Sequence, residues 1–239
     1  FEDLKTEYSK VKLPSIKIVI TGGGRVSKGV MEVLLAMNIK MVSPAAFIER
    51  VFDVPVFCQL NTRDYCKHKS GGSFVRSSFY SSPEDYQGDF LKYAQVADVL
   101  IAGAYWDPRA PVLFEREDIL KNNFKIRIIA DITCDIQGSI PSTLRSCTID
   151  EPIYDYNPSE DVVELPLTDE ANITVMAVDN LPCELSRNAS ESFGDELINN
   201  VLPYLIGKDT LGRIANATVA ERGRLSSKYD LLKDYVEGK

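Results

Sequence analysis

Histidine is almost absent from this sequence, since His68 is the only one among 239 residues. The five cysteines are widely spaced, and no two of them form a CxxC pair. A structural zinc site needs four clustered ligands, so we expect no metal site in this chain. Cys134 has no histidine base nearby in the sequence, so we expect no thiol nucleophile either. The odd number of cysteines favours reduced thiols and a cytoplasmic protein.

Long apolar runs and dense basic segments are missing as well. No stretch of about 18 apolar residues occurs, so we expect no membrane-spanning helix. Asp and Glu (35) outnumber Lys and Arg (27), which gives a net charge of −8. Because the basic residues are interspersed with acidic ones, we expect no nucleic acid as a partner: phosphate contacts need a local positive surface.

The sequence does have a regular alternation of short apolar runs and helical patterns. The run at 16–21 is rich in β-branched residues and is followed by three glycines. Short apolar runs of this kind are typical of buried strands, and they predict strands at 16–21, 39–42, 97–103, 125–131 and 173–178. Helices are predicted between them at 26–37 and 114–122. This alternation predicts an α/β fold of the Rossmann-like type, with a doubly wound, mostly parallel sheet and C-terminal helices.

The pattern becomes helical after Pro182. Apolar residues then recur every four positions over 185–201, which is typical of one face of a long helix, and Gly207 is suited to end it. Two further helices are predicted at 210–222 and 227–235. We therefore divide the chain into a linker or helix, a dinucleotide-binding domain and C-terminal helices, with the bounds 1–15, 16–206 and 207–239.

The first predicted strand leads directly into a glycine-rich turn at 22–29. The dinucleotide-binding fingerprint is GxGxxG between a strand and a helix, and Gly22 and Gly24 fill its first two positions. Gly22 permits a tight turn, and Gly24 lets the backbone approach a diphosphate at the start of the helix. Ser27, a small residue, stands at the third position. The pattern favours NAD or NADP binding over a glycine turn that has only a structural role.

The acidic residue that usually follows this fingerprint is absent. An Asp or Glu about 20 residues further on binds the adenosine ribose of NAD, whereas the second predicted strand here ends at Val42 and Ser43. Without that carboxylate no negative charge repels a 2′-phosphate, so the choice between NAD and NADP stays open. Arg25 and Arg50 are cations available for such a phosphate, although a solvated surface position is the simpler interpretation of each.

An ordered set of motifs resembles the lysine–oxoglutarate reductase and saccharopine dehydrogenase family. The glycine loop at 21–29 and the strand end with its Tyr-Trp pair at 103–106 are both similar to family segments. The segment DITCDIQGSI at 131–140 resembles "D-I-S-x-D-x-x-G-S-I", and VDNLP at 178–182 resembles "I-D-N-L-P". The segment at 189–195 is similar to the "E-A-T-E-x-F-G-D" that comes next. These motifs keep the family's order, and alanine dehydrogenase and the nucleotide domain of transhydrogenase are more distant relatives.

The resemblance implies an oxidoreductase that acts on CH–NH bonds in lysine metabolism. In this family lysine and 2-oxoglutarate condense to an imine, which a nicotinamide hydride reduces to saccharopine, or the reverse reaction occurs. The substrate lies in a cleft between two domains, and the catalytic lysine and histidine lie in an N-terminal domain. We therefore expect no catalytic residue in this chain. The expected partners are that domain, toward which 207–239 would pack, and a second copy of the protein in a homodimer.

The resemblance also implies roles for individual residues. Cofactor contacts are expected from the glycine turn, from the residue that faces the adenosine ribose and from the ends of three later strands. The expected cofactor-binding residues are Gly22, Gly24, Arg25, Val26, Ser43, Tyr105, Ile132, Val178, Asp179, Asn180 and Leu181. The expected substrate-binding residues are Thr133, Cys134 and Asp135.

Several of these positions have structural alternatives that the residues alone leave open. Tyr105 is equally consistent with a packing aromatic, and Asp135 with a loop cap. Asp179 and Asn180 are equally consistent with an Asx turn that caps the following helix. Asp131 is either a partner for the other domain or a carboxylate bonded to backbone. Two other functions also stay open: a nucleotide-sensing module without catalysis, and an oxidoreductase of alanine or another amino acid.

Overall fold

The computed structural model describes residues 2–239, and contacts divide the chain after Leu181 into two units. Within residues 2–181 the first unit contains ten strands and seven α-helices. The strands are β1 Lys17–Thr21, β2 Lys40–Met41, β3 Val56–Leu60, β4 Cys66–His68, β5 Tyr86–Gly88, β6 Val99–Ala102, β7 Ile128–Asp131, β8 Ile153–Asn157, β9 Val162–Glu164 and β10 Ile173–Met176. The helices are α1 Glu2–Tyr8, α2 Arg25–Ala36, α3 Pro44–Glu49, α4 Thr62–Tyr65, α5 Arg76–Ser81, α6 Leu91–Ala94 and α7 Arg116–Ile119.

Eight of these strands form one sheet in the order β2-β3-β1-β6-β7-β10-β8-β9. The strands from β2 to β10 in that order all pair in parallel. β8 pairs antiparallel with β10, and β9 pairs antiparallel with β8. The predicted Rossmann-like, mostly parallel α/β sheet is therefore confirmed.

Apolar side chains cover both faces of the sheet. Val19 of β1 lies in the larger core cluster, whereas its neighbours Ile18 and Ile20 lie in a second cluster. Because successive side chains of a strand point to opposite faces, the two clusters are the two sides of one sheet. Leu34 of α2 is buried in the second cluster, as the helical pattern predicted at 26–37 requires.

Three strands of the sheet, β3, β8 and β9, lie outside the predicted set. β3 has the largest consequence, because it pairs with β1 along its whole length and separates β1 from β2. β2 is an edge strand of only two residues, Lys40 and Met41, and both are exposed. The loop that follows β3, and not the one that follows β2, is therefore adjacent to the glycine turn.

The second unit, as far as the structure describes it, consists of helices and one hairpin. Its elements are α8 Ser186–Asn200, α9 Leu202–Ile206, α10 Arg213–Ala217, β11 Ala220–Glu221, β12 Arg224–Leu225 and α11 Lys233–Val236, with 3-10 turns at Leu181–Leu185 and Ser227–Leu232. No helix within residues 2–239 is long and apolar enough to cross a membrane.

Two details of the helical prediction are wrong in this unit. The long helix ends at Asn200 and a new one begins at Leu202, because Pro203 has no N–H to continue the hydrogen-bond ladder. The helix predicted at 210–222 ends at Ala217. Arg222 and Gly223 then adopt positive φ (50° and 75°) in the two-residue turn that joins β11 and β12. The domain boundary at 206 stays a prediction.

Candidate functional site

The carboxyl ends of the parallel strands lie along one edge of the sheet, where open α/β folds bind their ligands. Backbone hydrogen bonds continue the pairing past the strand ends. The N–H of Gly22 donates to the carbonyl oxygen of Leu60 (2.9 Å), that of Gly103 to Thr21 (3.2 Å), and that of Ile132 to Ala102 (3.0 Å). The topology therefore brings the glycine turn and the segments at 61–63, 103–106, 132–135 and 177–181 to the same edge.

The glycine turn packs tightly against the end of β6. Gly22 has a φ of +97°, and a Cβ there would lie 2.8 Å from Ser27 Oγ and 2.9 Å from the carbonyl oxygen of Gly103. Ser27 is fully buried, and its hydroxyl donates to the carbonyl oxygen of Thr21 (2.9 Å). The serine at the third fingerprint position thus lets α2 and β1 pack closely, as a glycine there would.

Helix α2 begins at Arg25 without a side chain that caps its first turn. The first N–H groups of a helix have no partner within the helix, and the partial positive charge there favours an anion. Gly24 precedes the helix, and the position of its missing Cβ is open space, with no atom within 4 Å. The turn therefore offers backbone donors and room for a diphosphate.

A cavity of about 830 Å³ adjoins this turn, within the usual size range of cofactor sites. It is enclosed by the glycine turn, by 61–66, by part of 74–83 and by segments within 102–139. The expected cofactor residues that line it are Gly22, Gly24, Arg25, Val26 and Tyr105. The side chain of Tyr105 is 87% exposed, so it is not a packing aromatic within this unit.

Positive charge in the cavity is not neutralised by carboxylates. Arg25 and Arg63 line it and form no ion pair within residues 2–239. The carboxylate of Asp107, also in the lining, is paired with Arg109 (2.9 Å), and that hydrogen bond lowers the pKa of Asp107. A cavity of positive charge in a chain with a net charge of −8 suits phosphate groups.

Several lining residues lie outside the expected set. Asn61, Thr62 and Arg63 follow β3, and Arg76 and Tyr80 belong to the segment between β4 and β5. The guanidinium of Arg76 lies over the ring of Tyr80, 5.5 Å from its centroid. The sequence signal for the first group is the mostly apolar segment at 56–60, between Pro55 and Asn61, which is typical of a buried strand.

Ser43 is not among the residues that line this cavity. It follows β2 at the outer end of the sheet and stands at the N-cap of α3. Its hydroxyl oxygen accepts a hydrogen bond from the N–H of Ala46 (3.3 Å). A contact of Ser43 with the adenosine ribose stays a prediction.

Asp131, at the end of β7, organises the loop that follows it. Its carboxylate is buried, and Oδ1 accepts hydrogen bonds from Thr133 Oγ1 (2.6 Å) and from the N–H groups of Thr133 (3.2 Å) and Cys134 (3.3 Å). Oδ2 accepts from Thr143 Oγ1 (2.7 Å). Of the two alternatives left open for Asp131, the structure has the carboxylate bonded within its own loop.

Thr133, Cys134 and Asp135 lie in this loop and do not line the cavity. The thiol of Cys134 donates to the carbonyl oxygen of Ala177 (3.1 Å), which joins the loop to the end of β10. Burial raises the pKa of the Cys134 thiol, with nearby carboxylates adding to the effect. The thiol is therefore neutral near pH 7, and the expected substrate contacts of the three residues stay predictions.

The expected contacts after β10 differ in exposure. Val178 is buried and bridges to Cys147, whereas Asp179 and Asn180 are exposed. Within residues 2–239 the side chains of Asp179 and Asn180 make no hydrogen bond, so neither forms the capping Asx turn. Ile132 and Leu181 are half-buried and lie outside the cavity lining. The cofactor contacts of this group stay predictions.

Asp135 should give a pH-dependent change in stability. Burial and the nearby Asp131 carboxylate raise its pKa above 3.8, so the folded chain disfavours the ionised form. This penalty is present above the raised pKa and disappears below pH 3.8. We expect Asp135→Asn to raise Tm at pH 7 by about 1–2 °C and not to raise it at pH 3. The effect is small because Asp135 is partly exposed and solvent screens its charge.

Thermal unfolding followed by circular dichroism measures this difference, with the exposed Asp150→Asn as the matched control. A lower Tm for Asp135→Asn at pH 7 would show that ionised Asp135 stabilises the loop.

Comparison with known proteins found relatives along nearly the whole chain, although no family model matches it. The chain is 29% identical over 255 residues to an alpha-aminoadipic semialdehyde synthase of Arabidopsis thaliana, and the alignment covers 97% of this chain and 24% of the relative. It is also 25% identical over 258 residues to the mitochondrial alpha-aminoadipic semialdehyde synthases of Rattus norvegicus and Bos taurus. Each of these two alignments covers 94% of this chain and 27% of the relative.

These matches confirm the resemblance that the motifs indicated. The chain spans about a quarter of the length of the curated relatives it matches. The two animal relatives are named as mitochondrial proteins, and a cytoplasmic location for this chain stays a prediction.

Proposed function

The chain is a homologue of one segment of the alpha-aminoadipic semialdehyde synthases, and we propose that it is the NAD(P)-binding domain of a saccharopine-forming or saccharopine-cleaving oxidoreductase. The whole protein would convert lysine, 2-oxoglutarate and NAD(P)H into saccharopine, or catalyse the reverse. The observation that carries the proposal is the uncapped start of α2, which adjoins a cavity lined by Arg25 and Arg63, two arginines without an ion pair among residues 2–239. This arrangement supplies the donors and the charge that a dinucleotide diphosphate needs.

In this proposal the segments along the sheet edge bind different parts of the coenzyme and the substrate. The first N–H groups of α2 and the Arg25 guanidinium bind the diphosphate, and Tyr105 flanks the nucleotide. Asp179 and Asn180, whose side chains make no hydrogen bond in the described part of the chain, offer an acceptor and an amide to the nicotinamide half. Thr133 and Asp135 face the amino-acid substrate. The bound nicotinamide supplies the hydride chemistry, and this chain holds and orients it.

Acid–base catalysis belongs, in this proposal, to an N-terminal domain of the same protein. His68 is unsuited to the task, because it lies in the antiparallel pair of β4 and β5 and outside the cavity lining. Its ring stands edge-on to Tyr86 at 5.0 Å, and its Nδ1 is hydrogen-bonded to Ser70 Oγ (2.7 Å). These contacts give the one histidine of the chain a structural role.

Coenzyme titration tests the proposal directly. In calorimetric titrations the chain should bind NADPH or NADH saturably. The control variant is Gly29→Ala on α2, which lies outside the cavity lining and has open space at its Cβ. This variant should bind the coenzyme as tightly as the unmodified chain. Lysine and 2-oxoglutarate added with NADPH to this chain alone should produce no oxidation of the coenzyme.

Failure to bind either coenzyme would overturn the proposal. Rapid turnover by this chain alone would place the acid–base residues within it. Tight nucleotide binding that lysine and oxoacids leave unchanged in the full-length protein would support the sensing module instead.

A further inference from the structure

The strand order places the loop after β3 where dinucleotide folds recognise the adenosine ribose. In these folds the ribose-binding residue follows the strand beside the glycine-loop strand. Here that neighbour is β3, because β2 lies one position further out. The residue that follows β3 is Asn61. Counting about 20 residues from the glycines reaches Ser43 instead, which follows the outermost strand.

Asn61 lies directly beside the glycine turn. A Cβ added to Gly23 would be only 2.6 Å from Asn61 Oδ1, and the amide of Gln59 donates to the carbonyl oxygen of Gly22 (2.7 Å). The nearby carboxylate of Asp64 accepts a hydrogen bond from the Asn61 N–H (2.7 Å). At the position that often carries an acid, this chain thus has the neutral amide of Asn61, which does not repel a phosphate on the ribose.

Arg63 follows two residues later and lines the same cavity. Its side chain is exposed and makes no ion pair or hydrogen bond within the described part of the chain. A free guanidinium can bind a phosphate through two parallel hydrogen bonds. Arg76 is less suited, because its guanidinium already lies over Tyr80, and Arg25 is at the start of α2, where the diphosphate is proposed.

We propose that Asn61 and Arg63 form the coenzyme-selecting element of this domain, with Arg63 binding the 2′-phosphate of NADP(H). The inference rests on the proposed function, since it locates one end of the same dinucleotide. Ser43 has no part in this selection. The positive charge of Arg63 then favours NADP(H) over NAD(H), which differ only by that phosphate.

Calorimetric titration of variants with NADPH and NADH tests this assignment. Arg63→Ser should weaken NADPH binding by about 10- to 100-fold and NADH binding by less than about 2-fold. Arg63→Lys, which keeps the charge and loses the bidentate geometry, should lose less NADPH affinity than Arg63→Ser. Asn61→Asp should weaken NADPH binding selectively, because a carboxylate there repels the phosphate. Arg127→Ser, with the same loss of charge just before β7 at the opposite edge of the sheet, should change neither affinity.

The outcomes separate this inference from the function it depends on. An equal loss of NADPH and NADH binding in Arg63→Ser would overturn the assignment and leave the dinucleotide site intact. A selective loss of NADPH binding in Ser43→Asp, with none in Asn61→Asp, would overturn the assignment and locate the ribose contact at the end of β2. If the unmodified chain bound neither coenzyme, the proposed function itself would fail. Circular dichroism of each variant checks that the exposed substitutions leave the fold unchanged.

Discussion

Gly22→Ala should destabilise the chain by about 2–4 kcal/mol and weaken coenzyme binding together with folding. The residue has a φ of +97°, which alanine adopts only with strain. The new methyl group would also lie under 3.0 Å from Ser27 Oγ and from the carbonyl oxygen of Gly103. The Gly103 contact is with backbone, so the turn and the end of β6 must move apart. Urea unfolding followed by circular dichroism measures the loss.

Gly24→Ala is the matched comparison, because it adds the same methyl group two residues away. Gly24 has a φ of −85°, which alanine adopts freely, and its Cβ would meet no atom within 4 Å. The free energy of unfolding should fall by no more than about 1 kcal/mol, the usual difference at a helix N-cap. The methyl group would project where the diphosphate is proposed, so coenzyme affinity should fall by about tenfold or more.

The two variants therefore separate folding from binding. A Gly22→Ala chain as stable as the unmodified one would contradict the close packing of the turn against β6. A Gly24→Ala chain with full coenzyme affinity would contradict the position proposed for the diphosphate.

The elements that the sequence predicted well depend on residues that are close along the chain. The β-branched run of β1 and the amphipathic repeat of α2 each specify their own conformation, and both are found where they were predicted. The same holds for the close approach of α2 to β1, since the small size of Ser27 is visible in the fingerprint. Gly22 and Gly24 are therefore the part of the site that local pattern identifies.

The neighbour of β1 depends on pairing between distant segments, and local pattern does not determine it. Both β2 and β3 follow α2 and run parallel to β1. β3 takes the central position because four of its five residues are buried, whereas both residues of β2 are exposed. Central strands of a parallel sheet are covered on both faces and need such apolar residues. Counting along the sequence thus reached Ser43, while Asn61 and Arg63 emerged only from the strand order.

The role of Asp131 likewise depended on packing. The sequence shows a carboxylate at the end of an apolar strand but not which groups satisfy it. One of them, Thr143, lies twelve residues further along the chain, and no local rule connects the two. The loop between them contains two non-glycine residues with positive φ, Cys134 (54°) and Gln137 (51°), and such backbone persists only when surrounding contacts hold it.

Asp131→Ala should therefore reduce the free energy of unfolding by about 3 kcal/mol or more. The substitution leaves the buried hydroxyl of Thr143 and the N–H groups of Thr133 and Cys134 without their acceptor. It also removes the contacts that hold the strained turn at Cys134. Asp131→Asn keeps the shape and one acceptor oxygen, and the Thr143 hydroxyl can rotate to accept from the new amide, so the loss should be smaller.

Thiol accessibility distinguishes a disrupted loop from an unfolded chain in these variants. If the loop alone opens, Cys134 loses its hydrogen bond to Ala177 and should react faster with a thiol reagent, whereas Cys58, fully buried in β3, stays protected. Coenzyme binding at the glycine turn should persist in that case, because Asp131 does not line the cavity. An unchanged free energy of unfolding in Asp131→Ala would show that the loop is held by its apolar packing rather than by this carboxylate.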